Sequence, residues 1–256
     1  MSDFDRNLAA ARSGYRTDQV AIDAGLRAYM IRVYNYMTAG VALTGLVAWF
    51  AYQAAGGDAI HIVGNQFSGL TPFGQAIFQS PLLWLVVLAP LGLVMVLSFG
   101  ISRLSASTAL TLFFVYSGLL GLSLASIFLV YTHASIAQVF FICAATFGAT
   151  SLYGYTTQRD LTSVGSFMFM GLIGIIIASL VNIFLQSSAL YWAISVIGVI
   201  VFVGLTAYDT QNIKEMYDVN DDGSVSGRKA VMGALRLYLD FINLFLMLLR
   251  LMGDRR

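Results

Sequence analysis

Seven apolar stretches of about 20 residues divide this 256-residue chain, at roughly 30–53, 81–101, 107–131, 135–156, 165–186, 189–209 and 230–252. A helix rises about 1.5 Å per residue, so each stretch is long enough to cross a hydrocarbon core roughly 30 Å thick. Inside lipid every backbone polar group must be satisfied within its own segment, which leaves the helix as the form for such runs. The chain therefore reads as an all-α integral membrane protein with seven transmembrane helices. Hydrophobic residues make up 58% of it and charged residues 11%, against about 25% charged in soluble domains. Residues 28–256 are expected to form a single transmembrane domain, preceded by a polar tail over 1–27 that carries no hydrophobic run and no cleavable leader.

Orientation follows from the placement of Lys and Arg. The first 32 residues carry Arg6, Arg12, Arg16, Arg27 and Arg32, and the segment 54–80 carries neither type. Arg103, Arg159 and the trio Lys214, Arg228 and Lys229 fall in alternate loops, while those near 132–134 and 187–188 lack them. This asymmetry predicts a cytoplasmic N-terminus. Seven crossings then put the C-terminus outside, where Arg250, Arg255 and Arg256 disagree with the other loops. Either the tail is tolerated outside or the seventh span is re-entrant. The net charge of +1 and the lack of a basic patch argue against nucleic acid as a partner.

Two carboxylates interrupt the apolar pattern. Asp209 closes the sixth span and Asp240 lies within the seventh. An ionised Asp in a membrane helix costs roughly 2.5–3.5 kcal/mol on insertion scales, so such a residue faces protein or water and marks a functional site by default. If the seventh helix begins near residue 230, Asp240 lies about ten residues along it, roughly 15 Å, at a depth matching Asp209. Arg103, at the end of the second span, is at the same membrane face and can latch onto either acid. The plainer alternative is a pair of interfacial charges, with Asp240 neutralised by Arg236 one turn away. Arg236, Asp240, Asn243, Met247 and Arg250 also form one polar stripe, which lipid would penalise, so the seventh helix should be enclosed by the others. The stripe either lines a narrow cation path, with Arg236, Asn243 and Thr206 as candidate lining residues, or glues helices together.

Other chemistries are weaker. Asp218, Asn220, Asp222 and Gly223 copy the opening of a calcium loop, but its twelfth position is Lys229 where a bidentate Glu belongs, so a solvated turn is expected. His61 and His133 fall in outer loops without zinc-ligand spacing. No GxSxG setting supports a serine nucleophile, and no Lys inside a span supports a Schiff base. Cys143 lies in an apolar run and reads as core. Ser117/Gly121 and Ala144/Gly148 read as close-packing devices. No enzyme chemistry and no cofactor are expected.

The blocks GYTTQRDLTSVGSFMFMGLIG (154–174), TAYDTQNIKEM (206–216) and LYLDFINLFLMLLRLMG (237–253) resemble the bacterial form of the Bax inhibitor-1 (TMBIM) family. The resemblance covers all seven spans. It implies a fold in which helix 7 is central and wrapped by helices 1–6, and a bacterial inner-membrane location. It also implies a calcium leak that responds to pH through a di-aspartyl sensor. The sensor carries over onto Asp209 in AYDTQ and Asp240 in LYLDFIN, and a basic latch onto Arg103 in SFGISRLS.

A physical mechanism accompanies that resemblance. Two carboxylates close together in a low-dielectric site cannot both ionise cheaply, so they titrate as a unit. Ionised, they hold Arg103 in a charge-assisted contact that keeps the second helix over the cytoplasmic mouth; protonated, they release it. Calcium takes six to eight oxygens, and Asp209, Asp240, Asn243, backbone carbonyls and water can supply a weak, transient site, as conduction requires. Protons, calcium ions and the lipid bilayer are then the partners. The competing reading is a membrane protein without transport activity that regulates others, such as a membrane protease, by lateral contact. A proton-coupled carrier is disfavoured by the lack of paired half-structures.

Overall fold

The computed structural model describes residues 3–63 and 66–256, with side chains over 24–60 and 68–256. His61 and the arginines at 6, 12 and 16 lie outside the described side chains. The elements run α1 (Asp3–Ala55), β1 (His61–Val63), β2 (Gln66–Ser68), α2 (Pro72–Phe78), α3 (Leu82–Gly100) and α4 (Ala106–Leu124). There follow α5 (Ile127–Val130), α6 (His133–Thr156), α7 (Thr162–Leu185), α8 (Ser188–Glu215) and α9 (Gly223–Met252). Strands β1 and β2 make a small antiparallel hairpin in the first loop. Among the described residues seven helices are long and apolar enough to cross a membrane. The expected boundary at residue 27 falls inside α1, which continues through it without a break.

Short turns between spans work because side-chain oxygens cap the helices that follow. Ser105, Thr132, Ser187 and Asp222 accept hydrogen bonds from the backbone N–H of Thr108, Ser135, Leu190 and Val225. Each satisfies a donor that the first helical turn leaves open, and is worth about 1 kcal/mol.

Helix α9 is the core. Of its most apolar window 72% is buried, against 6% for α7. It packs directly against α1, α4, α6 and α8. Helices α3 and α7 form an outer row, resting on α4 and α8 respectively, with side chains such as Phe184 and Trp84 turned outward. The immediate wrap is thus four helices, because α3 and α7, apolar all round, serve as well against lipid as against protein. Cys143 is buried in this core, with its thiol against the Phe241 carbonyl at 3.6 Å.

The basic C-terminal tail has partners where it ends. Helix α9 runs unbroken from Gly223 to Met252, and the tail lands beside the loop that follows α1. The Arg256 guanidinium donates to the Asp58 carboxylate at 3.2 Å and to the Tyr52 hydroxyl at 3.0 Å. The Arg256 backbone N–H donates to the Val130 carbonyl, and that of Thr132 to the Asp254 carbonyl. Arg250 and Arg255 both sit over the Tyr191 ring, at 5.3 and 5.9 Å. Asp58 is held below the usual carboxylate range, first by the hydrogen bond from Tyr52 and then by Arg256. The basic charges of the tail thus have partners at the end of the bundle where it lies.

Candidate functional site

Helices α8 and α9 run antiparallel, and their matched positions bring the acidic residues together. Arg236 meets Asn212, Asp240 meets Asp209, Met247 meets Gly198 and Arg250 meets Tyr191. The polar stripe of α9 therefore lies along α8 over its whole length. It acts as glue where Met247 fills the space that Gly198 leaves open. Further toward the N-terminal end of α9, it borders a cavity.

That cavity, about 790 Å³, opens between α7, α8 and α9. Asp209, Asp240, Arg236 and Asn243 all line it. The two carboxyl groups line the same cavity and interact electrostatically. Asp240 is only 5% exposed, and its Oδ2 is buried with no hydrogen-bond partner. Arg236 Nη1 stands 4.0 Å from Asp209 Oδ1 and donates to Asn212 Oδ1 at 2.7 Å. The Asn243 amide donates to the Leu239 carbonyl at 2.8 Å, which leaves its oxygen for the cavity. One wall requires a glycine: a Cβ on Gly165 would collide with the Tyr208 ring.

The depth of the pair is fixed by α8. Gln211 clamps the α6–α7 turn, accepting from the Leu161 N–H and donating to the Arg159 carbonyl, both at 2.8 Å. Lys214 Nζ donates to the Tyr155 carbonyl at 3.0 Å. Asp209 therefore lies within about one and a half helical turns of those contacts. Helix α9 begins at Gly223 rather than near 230, so Asp240 lies deeper along its own helix than expected. Its first two turns run on past the clamp, and the match with Asp209 survives.

Two of the expected site residues lie elsewhere. Arg103, in a 3-10 turn at Ile101–Arg103, is exposed and pairs with no described residue; the cation beside the acids here is Arg236. Thr206 is fully buried, donates to the Phe202 carbonyl of its own helix at 2.7 Å and is not part of the cavity wall. Asn212 and Tyr208 belong to the site and were missed by sequence reasoning. Asn212 follows Asp209 by three residues, the spacing that shares a helix face, and that signal was available.

The remaining acidic loop serves to shape the chain. Asp218 accepts from the Asn220 backbone, Asp222 caps α9, and Asp221 pairs with Lys229 at 2.6 Å. Among the described residues no group of three or more His, Cys, Asp or Glu is placed to hold a metal.

Residues 26–256 match the family described as Inhibitor of apoptosis-promoting Bax1. The chain belongs to the Bax inhibitor-1 family. It is 52% identical to the inner membrane protein YbhL of Escherichia coli over 235 residues, covering 91% of this chain and 94% of the relative. It is 48% identical to the protein RP147 of Rickettsia prowazekii over 234 residues, 91% and 92% of the two chains. A Caulobacter vibrioides protein aligns over the full length of both, at 41%. The Bax inhibitor-1 membership spans every helix that builds the acidic cavity.

Proposed function

We propose that this Bax inhibitor-1 family member is a pH-sensitive calcium leak of a bacterial inner membrane, gated by Asp209 and Asp240. The observation that carries the reading is the face-to-face pair in a cavity between spans, with one Asp240 oxygen unpartnered. A proton or a cation satisfies that oxygen, and either changes what the pair can hold. Ionised, the pair keeps Arg236 at the cavity wall through a charge-assisted contact. Protonated, it releases the guanidinium and the mouth widens. Calcium passes by exchanging water for the two carboxylates, the Asn243 oxygen and backbone carbonyls, a ligand set too sparse to trap it. The cytoplasmic side is assigned to Lys214 and Arg159 by the charge asymmetry of the loops, and the inner-membrane location by likeness to the relative of that name. The reading requires no catalytic step.

The test is calcium flux into proteoliposomes of purified protein across a pH series. Flux that rises as the pH falls is expected, and no flux at any pH would leave the regulatory reading in its place.

A further inference from the structure

Helices α1 and α6 both rest on α9 and meet each other only through side chains, at Tyr34–Ser151 and where Trp49 and Tyr52 pack on His133. The gap between them holds two cavities, of about 630 and 290 Å³, that share Val41, Phe140 and Phe241. Phe140 and Phe241, edge to face at 5.6 Å, divide the two near mid-membrane. The larger cavity runs along α1 from Arg27 to Val41, 14 positions or roughly 21 Å at helical rise. One leaflet of hydrocarbon is roughly 15 Å deep, so this cavity has the depth of a single leaflet plus its interface.

Its chemistry is graded along that length. The mid-membrane end is apolar. The other end carries Arg27, exposed and free of any partner among the described residues, and Tyr155, over whose ring Lys214 Nζ sits at 5.3 Å. The Tyr34 hydroxyl and Ser151 Oγ meet at 2.6 Å across the groove, so a helix about 10 Å across cannot enter between α1 and α6; a single polymethylene chain can lie along the groove over that bridge. The polar end supplies a cation where a phosphate would lie.

We infer that the α1–α6 groove is a binding site for one phospholipid, with an acyl chain against Phe241 of the central helix and its phosphate on Arg27. The site is separate from the acidic cavity, which opens between α7, α8 and α9.

Phosphatidylglycerol bearing a diazirine at mid-chain, incorporated with the full-length protein in liposomes, tests this. Phe241 is 5% exposed and Phe184 is 88% exposed, so Phe184 reports bulk lipid and serves as the internal standard. Labelling of both is expected in the wild type. A Cβ on Gly148 meets nothing within 4 Å, so Gly148→Trp projects into the groove and should abolish labelling at Phe241 while sparing Phe184. Gly148→Ala controls for folding and should label as the wild type does. Arg27→Ala should lower the Phe241 to Phe184 ratio about tenfold, the effect of losing one charge-assisted contact. No labelling of Phe241 in the wild type, or a ratio unchanged by Gly148→Trp or by Arg27→Ala, overturns the site.

Discussion

A carboxyl oxygen buried among apolar helices must find a proton, a cation or a donor. Asp240 Oδ2 has no donor among the described residues, whereas Asp209 has Arg236 4.0 Å away. The two acids are therefore unequal, and substitutions should separate them from their neighbours. Asp240→Asn and Asp209→Asn replace a titrating group by one that does not, so each should flatten the pH response of calcium flux. A wild-type profile in either variant would exclude the coupled pair as the sensor. Arg236→Ala removes the cation that favours the ionised pair, so the pH at which flux rises should move upward by about one unit. Arg103→Ala, at an exposed position away from the acids, should leave the profile in place. The reverse pattern would return the latch to the end of the second span.

At the scale of helices, small residues decide which pairs come close. A Cβ on Gly154 would strike the Ala207 backbone carbonyl, and one on Gly121 would lie 2.6 Å from the Thr44 carbonyl. Neither backbone has a rotamer with which to retreat. Gly154→Ala should therefore push α6 off α8 and destabilise the protein by about 1–3 kcal/mol, read as a lowered midpoint of thermal unfolding in detergent. Gly148→Ala, facing open space, should leave the midpoint unchanged. The contrast marks where sequence reasoning stopped. Spacing identified Ser117/Gly121 and Ala144/Gly148 as equivalent packing pairs, and only the first is one. Periodicity says which residues share a face, not whether a helix covers it. Span positions, the α9 stripe and the acidic pair were legible because lipid penalises charge heavily. Arg236 as the partner of Asp209 was not, since choosing it over Arg103 depends on how α3 is displaced to the outer row.

For the whole molecule, the contacts of the C-terminal tail with Asp58 and the acidic cavity lie at separate ends of α9. Asp58 is held below its ordinary value, so its contribution is present above about pH 3.9 and disappears as the pH falls through the lower native value. Hydrogen-exchange protection of the Arg256 amide should be constant from neutral to mildly acidic pH and fall only below that window. Loss of protection in the range where flux changes would couple the two ends. Sidedness gives a second expectation. Cysteines placed at positions 58 and 256 should react together with an impermeant reagent in intact cells, and one at 214 should not. Labelling at 214 would invert the topology.

The order of synthesis turns the central position of α9 into a problem of timing. The helix that α1, α4, α6 and α8 all pack against leaves the ribosome after every one of them. Until it inserts, Thr44 of α1 lacks its 2.6 Å hydroxyl partner on Tyr238, and Asp209 faces a vacant seam. Six spans must therefore wait in the bilayer as a loose, incompletely satisfied set, open to whatever surveys unassembled membrane segments. Arg256, made after all seven spans, closes the assembly by tying the new core to the loop that follows α1.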